Sequence, residues 1–361
     1  MIDERESVLR IVEAQELLGG RFHSIKRIDP IGGGGCFSVV FTACEPSGQE
    51  VIVKFFFAPS IRDDAAYRWD CFQRESTLLA KYGDRDHVVR LIAPQSDLTY
   101  TLRSDTGSEF PSSRAYYVME KASGNVGTAI QLRQWSTSAS LDAFAGMCRA
   151  VQHLHSHNVA HRDIKPDNFL VFPGGAIKLG DLGTGRELSA TPLLPRYDRP
   201  VGDLRYTSPE QIACVHDFDP QVAKQGDFYA LGAIFFELLT GIQLHGFVYD
   251  RQFIADLLSH MVQVHPRERG RVFASIVSSI SDAHPLPALR DVSNNVPTCI
   301  GRQADSLYRD LCAFDYRRRL DAFDSVFRQI DICRIILRNE EAYHVWLDRR
   351  RRRRGARDQV A

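Results

Sequence analysis

No two of the eight cysteines in this sequence stand as a C-x-x-C pair, which argues against a zinc ribbon or a thioredoxin-type redox site. Scattered singly, they read as reduced thiols of a cytoplasmic protein. Net charge is missing too. The 45 Lys and Arg residues balance 45 Asp and Glu residues, so global electrostatics favour neither nucleic acid nor a membrane surface. No apolar run approaches the ~20 residues of a membrane helix. The longest candidate, residues 229–239, is broken by Gly232 and Glu237. The opening MIDERESVLRIVEAQELLGG carries too much charge for a signal peptide. The expectation is a soluble cytoplasmic chain without a membrane span. Its 361 residues, 44% of them hydrophobic, are enough for one large domain or two modest ones.

Within that chain the hydrophobic period changes twice. Residues 3–18 place Val8, Leu9, Val12, Leu17 and Leu18 at helical spacing and stop at Gly19 and Gly20. From residue 21 to 54, β-branched runs alternate with turns, as in Val39-Val40-Phe41 and Val51-Ile52-Val53 around Pro46-Ser47-Gly48. That is the pattern of a hairpin meander. A helix is expected over 66–82, then strands around 88–92 and 116–119, with 95–114 as a polar, Ser/Thr-rich loop. After Gly124 the chain reads as mostly helical. Residues 140–157 carry one apolar stripe and 227–239 are apolar nearly all round, so the latter reads as a buried helix. Further helices are expected over 253–262, 303–314 and 322–337. A small β-rich lobe followed by a larger helical lobe results.

Four segments carry chemistry. IGGGGCFSVVF, residues 31–41, sits between a strand and its hairpin partner, where glycines let a backbone approach phosphate oxygens. VIVK ends a strand at Lys54, and Glu75 on the next helix is the natural anion for a buried ammonium. HRDIKPDNFLV crowds polar groups before a short apolar strand. In it, Asp163 can accept a hydroxyl proton, Lys165 can screen phosphoryl charge, and Asn168 offers a neutral oxygen to Mg²⁺. KLGDLGTG then sets Asp181 in a glycine-flanked turn as a second metal ligand. Each segment alone has a plain structural reading: a flexible turn, a snorkelling lysine, a surface helix glutamate, an Asx turn. Their order is what adds meaning.

In that order, and with SPE at Ser208-Pro209-Glu210, DFYALG at 227–232 and DYRRRL at 315–320, the chain resembles a eukaryotic-type protein kinase from about residue 21 to about residue 327. The resemblance implies an α+β, bilobal protein-kinase-like fold. It implies a helical extension over 1–20, a small lobe over 21–121, a large lobe over 122–330, and a C-terminal helix with an arginine-rich tail over 331–361. It implies ATP and Mg²⁺ as cofactors and a protein hydroxyl as acceptor. Gly33, Gly34, Gly35, Phe37 and Val40 would cover the nucleotide. Lys54 would contact its phosphates, held by Glu75. Met119 would back the adenine pocket, with Glu120 and Ala122 as the hinge. Asp163 would orient the acceptor, and Asn168 and Asp181 would bind Mg²⁺. Lys165 resembles the Ser/Thr-specific form of the catalytic loop. Asp227 would brace that loop, and Arg319 would pair with Glu210.

Departures from the family pattern are few. Leu182 replaces phenylalanine after Asp181 and remains an apolar plug. Ser38 replaces a glycine. Asp203 stands where the family has threonine, adding negative charge near Asp163. Asp198 is expected to offer Arg162 a standing negative charge, in place of a phosphate. Cys36 reads as an inert thiol. Residues 241–305 are longer than the matching family region. Six consecutive arginines, the first Arg349 and the last Arg354, suggest nucleic acid or an acidic surface as a partner, against the plainer reading of a solvated basic tail. Two other functions are weighed: a pseudokinase acting as a nucleotide-binding scaffold, and a small-molecule phosphotransferase. The retained phosphate, metal and proton positions stand against the first. The SPE segment with its Arg319 partner stands against the second.

Overall fold

The computed structural model describes residues 4–28, 38–57, 65–84, 86–103, 107–189, 200–215 and 220–358. Gly33, Gly34, Gly35, Cys36, Phe37 and Asp198 lie outside these residues. The chain opens with α1 (Glu4–Glu13), then β1 (His23–Arg27), β2 (Ser38–Cys44) and β3 (Glu50–Phe56). Helix α2 (Ala65–Tyr82) follows, then β4 (Leu91–Arg103) and β5 (Glu109–Glu120). The five strands form one antiparallel sheet in the order β1-β2-β3-β5-β4. Its β-branched and aromatic residues alternate faces, so Phe41, Val51, Val53, Phe55 and Val118 point to one core. Val8, Leu9 and Val12 of α1 close that same core. Burying each is worth about 1.5–3 kcal/mol, so α1 is held on the sheet by its apolar face.

One expectation fails here. Residues 95–103 and 109–114 do not form a loop. They are paired strand, with Leu98 opposite Arg114 and Thr101 opposite Pro111. One face of β4 still packs on the small-lobe core through Leu98, Tyr100 and Leu102; the Ser and Thr between them and the exposed stretch 107–111 hid that alternation in the sequence.

The larger lobe begins after β5. It contains β6 (Gly124–Asn125), α3 (Val126–Gln131), α4 (Thr137–Ser156), β7 (Val159–Ala160), β8 (Phe169–Val171), β9 (Ile177–Leu179) and β10 (Arg186–Glu187). Then come α5 (Pro209–Ile212), α6 (Pro220–Thr240), α7 (His245–Val248), α8 (Arg251–Met261), α9 (Arg269–Ala283), α10 (Leu289–Val292), α11 (Gly301–Leu311) and α12 (Phe323–Asp358). Ser136 caps α4, its hydroxyl accepting the Ala139 N–H. Helix α6 is buried along most of its length between α4 and α11, with the Phe144 and Phe235 rings 4.6 Å apart. That explains its lack of a polar face. Residues 241–305 fold as α7 to α10 and join the same core through Val248, Phe253, Leu257, Phe273, Val277 and Leu289. Helix α12 runs unbroken through residue 330 and carries the arginine run, whose side chains lie outside the description. Among the described residues, no helix is long and apolar enough to cross a membrane.

Two short sheets position the loops between β7 and β10. β8 lies between β6 and β9, and β10 pairs with β7. Deeper in the lobe, Arg319 and Glu210 pair as two forks with no solvent exposure, at 2.5 and 3.0 Å. Arg319 also donates to the carbonyls of Gln225 and Ala313, at 2.7 and 2.8 Å, so the guanidinium has little unmet donor capacity. Removing one partner of so buried a pair leaves an uncompensated charge. Arg319→Met is therefore expected to lower unfolding free energy in urea by about 3–5 kcal/mol. Arg317→Met, which breaks a half-exposed fork to Asp315, should cost below about 1 kcal/mol. Equal losses for the two would contradict this.

Candidate active site

The strands and loops described above converge on a cleft between the two lobes. Lys54, on β3, points its ammonium at two carboxylates. It lies 2.7 Å from Glu75 Oε2 on α2 and 3.3 Å from Asp181 Oδ1 in the turn after β9. The Lys54 and Glu75 side chains are 12% and 4% exposed, so this pairing is largely dry. Burial disfavours the charged Lys54. The charges of Asp181 and Glu75 outweigh it, and the ammonium is held well above its usual range. The Lys54 charge in turn holds the Asp181 carboxyl below its usual value against burial, so Asp181 is ionised at neutral pH. Asp181 sits at φ 55°, a left-handed conformation that costs a non-glycine residue energy and aims its carboxylate at Lys54. Leu182 behind it is fully buried, as the expected apolar plug.

The segment from His161 to Asn168 forms the opposite wall. Asp227, on α6, accepts the backbone N–H groups of His161 and Arg162, both at 2.8 Å, and contacts His155 Nε2 at 2.8 Å. It holds the turn in place, with Arg162 at φ 71°. The His161 ring donates from Nε2 to the Gly180 carbonyl at 3.0 Å, leaving Nδ1 to accept the Asp163 N–H at 3.3 Å. One neutral tautomer therefore couples the catalytic-loop backbone to the residue before Asp181.

Asp163 is fixed at both oxygens. Oδ1 accepts the Asp203 N–H at 2.7 Å, and Oδ2 pairs with Lys165 Nζ at 2.8 Å. Burial opposes the Lys165 charge, but Asp163 more than compensates and raises it. Asn168 spends its amide N–H on the Asp163 carbonyl at 2.7 Å, which leaves Oδ1 as its donor atom for a hard cation. Gly202, at φ 94°, is required by close approach. A Cβ there would stand 2.5 Å from the Arg162 carbonyl oxygen.

Lys54, Glu75 and Asp181 thus meet, as do Asp163, Lys165 and Asn168, and the bonds of Gly180 to His161 and Asn168 join the two groups. Val40 is half-buried on β2 opposite Lys54, and Met119 is half-buried on β5 opposite Ile52 and Leu91. Glu120 ends β5, and the chain passes Ala122 to reach β6. The glycines and Phe37 of the covering turn lie outside the described residues. Four other contributors escaped sequence reasoning. Arg74 donates to the carbonyls of Gly183 and Gly185 at 3.1 and 3.3 Å, tying α2 to the turn that holds Asp181. Tyr82 donates to Glu187 on β10 at 2.6 Å. Lys178 pairs with the buried Glu120 side chain at 2.6 Å. Arg205 clamps Asp203, with Nε 3.0 Å from Oδ1 and Nη2 2.6 Å from Oδ2. The extra negative charge at Asp203 is thus turned to a guanidinium instead of Lys165. Burial pushes the Asp203 carboxyl up, but the Arg205 bonds win and hold it below its usual value. A spacing of two residues between opposite charges was the one sequence signal available.

Asp227→Asn keeps one acceptor oxygen and loses the other, orphaning a buried N–H. A loss of about 1–3 kcal/mol in urea unfolding is expected, together with faster amide exchange at His161 and Arg162. An unchanged exchange rate there would contradict the bracing role.

Comparison with known proteins bears on the same residues. The family model described as "Protein kinase domain" matches residues 25–328. The probable serine/threonine-protein kinase PknB of Lactococcus lactis is 29% identical over 239 residues, covering 64% of this chain and 33% of that protein. The serine/threonine-protein kinase PrkC of Bacillus subtilis is 29% identical over 231 residues, covering 62% and 31%. The serine/threonine-protein kinase PknA of Mycobacterium tuberculosis is 33% identical over 129 residues, covering 35% and 28%. This chain spans about a third of the length of the curated relatives it matches.

Proposed function

The chain belongs to the protein kinase domain family, and from that premise we propose that it is a serine/threonine kinase. It moves the γ-phosphoryl group of ATP, with Mg²⁺, to a protein hydroxyl. The observation that carries this reading is the meeting of Lys54, Glu75 and Asp181 opposite Asp163 and Asn168. Asn168 Oδ1 and the ionised Asp181 carboxylate are oxygen donors, which suits Mg²⁺ better than a thiolate-preferring metal. Bound there, Mg²⁺ would neutralise charge on the phosphate oxygens.

The protein's own groups do the rest. Lys54, kept charged by its two carboxylates, binds the α/β-phosphates. Glu75 holds it against rotation. Val40 and Met119 flank the adenine, and the backbone at Glu120 and Ala122 bonds it. Asp163, immobilised by Lys165 and the Asp203 N–H, orients the acceptor hydroxyl and takes its proton. Lys165 screens the charge of the group in flight. Transfer of this kind depends on positioning and electrostatics more than on covalent catalysis, and hydrogen bonds already hold Lys54, Glu75, Asp163 and Lys165. The acceptor is a protein serine or threonine, since Lys165 occupies the position characteristic of that class. Unpaired cysteines among the described residues suit a reducing cytoplasm for this work. The lobes over 21–121 and 122–330 hold the cleft between them, with α1 packed on the small lobe and α12 crossing residue 330 without a break.

Incubation with labelled ATP, Mg²⁺ and a generic basic protein tests this reading. Lys54→Met and Asp163→Asn should each cut transfer at least about 100-fold while melting within a few degrees of wild type. Transfer near the wild-type rate by either variant would overturn the assignment. Arg205→Ala should slow transfer about tenfold by releasing the Asp203 charge toward Asp163 and Lys165, and Asp203→Thr in the same chain should restore most of it. Simple addition of two losses would show that Arg205 does not work through Asp203.

A further inference from the structure

A second cluster lies away from the cleft, where the small lobe's α2 ends against α4 of the large lobe. Asp84, His87 and His153 bring one carboxylate oxygen and two ring nitrogens within 4.8 Å of one another. We propose that these three residues bind a divalent transition cation of the zinc class, which would clasp the turn between α2 and β4 to α4.

The arrangement has the marks of a built site. Asp84 cannot swing away. Its Oδ1 accepts the backbone N–H groups of Asp86, His87 and Val88, at 3.0, 2.6 and 2.9 Å, leaving Oδ2 to face the two rings. Oδ2 lies 2.8 Å from His87 Nδ1 and 3.6 Å from His153 Nδ1. His153 Nε2 is 3.3 Å from the Tyr82 carbonyl oxygen, to which it donates. That bond uses Nε2 and turns Nδ1 toward Asp84, 3.6 Å from Oδ2 and beyond hydrogen-bond reach. Two ligands of a tetrahedral zinc with bonds near 2.0–2.1 Å stand about 3.3 Å apart, close to this separation. A ring nitrogen that donates to a backbone carbonyl while its partner nitrogen faces the metal is the usual support of a histidine ligand. The His87 and His153 rings are parallel, 5.0 Å apart, and His157 stands with its ring 4.8 Å from His153. Water would complete the fourth position. The three side chains are between 21% and 33% exposed, which leaves an entry path.

The site is distinct from the Asn168 and Asp181 pair, and its donors are nitrogens and a carboxylate where that pair offers oxygen alone. Its consequence would be mechanical. α2 carries Glu75, so a cation at its end would restrain the helix that holds Lys54.

The test titrates Zn²⁺ alone into the full chain, stripped by chelator, against a chromophoric competitor. One equivalent should bind, and the melting temperature should rise with added Zn²⁺. His87→Ala and His153→Gln should each raise Kd at least tenfold and abolish the thermal shift. His260→Ala, outside the cluster, should change neither. Co²⁺ in the same site should show d–d bands without the intense near-ultraviolet absorption of a thiolate ligand. Should either histidine variant fold poorly, the Co²⁺ spectrum of the wild-type chain decides: thiolate absorption overturns the proposal. So does unchanged affinity in both variants, or the absence of stoichiometric binding.

Discussion

One buried ammonium joins three segments that lie far apart in the chain. Lys54 on β3 meets Glu75, 21 residues on, and Asp181, 127 residues on. The charge of each member depends on the others. An isolated lysine at this depth would be pushed toward neutrality, and Asp181 without Lys54 would lose the main influence lowering its pKa. The pairing thus sets the distance between sheet, helix and the turn after β9. Since β3 and α2 belong to the small lobe and Asp181 to the large one, it also sets how the lobes face each other. Arg74 and Tyr82 repeat that connection along α2, to Gly183 and Glu187. The ion triad is therefore the centre of a seam.

On the other side of the cleft, precision comes from hydrogen bonds to backbone. Asp227 holds the N–H groups of His161 and Arg162, His161 holds Gly180, and Asn168 holds Asp163. The first two of these join different segments and the third closes the loop on itself, so the loop geometry does not depend on loop stiffness. The left-handed residues Arg162 and Asp181 persist because these bonds over-determine them. Charged side chains are thereby held at the cleft without a rigid strand or helix beneath each one.

Much of this was legible in the sequence, for a physical reason. Phosphate, metal and proton handling restrict residue type, and HRDIKPDN, VIVK and GDLG leave few other uses for their residues together. Asp227 and the Arg319–Glu210 pair were legible only through the family resemblance of DFYALG and DYRRRL. The helices over 65–82, 137–156 and 220–240 showed through period and length. What escaped was set by context. In the β4–β5 hairpin only the Leu98, Tyr100 and Leu102 face of β4 packs on the core, and the Ser and Thr around it read as loop. Helix α12 runs past residue 337 through a stretch whose charge hides any apolar stripe. Lys178 against Glu120, and Arg74 against Gly183, join residues 58 and 109 positions apart through contacts that spacing does not encode. Asp203 read as an unbalanced charge because its partner is defined by a turn that brings Arg205 back on it.

The central claim is that the Lys54–Glu75–Asp181 triad, with Asn168, exists to hold a metal-bound triphosphate. Calorimetric titration of the full chain with a non-hydrolysable ATP analogue tests it most directly, in buffer with Mg²⁺ and in buffer with chelator. The account predicts saturable binding of one analogue per chain that weakens at least tenfold when Mg²⁺ is withdrawn, and that loses its Mg²⁺ dependence in Asp181→Asn. Equal affinity with and without Mg²⁺, or no binding under either condition, would contradict it.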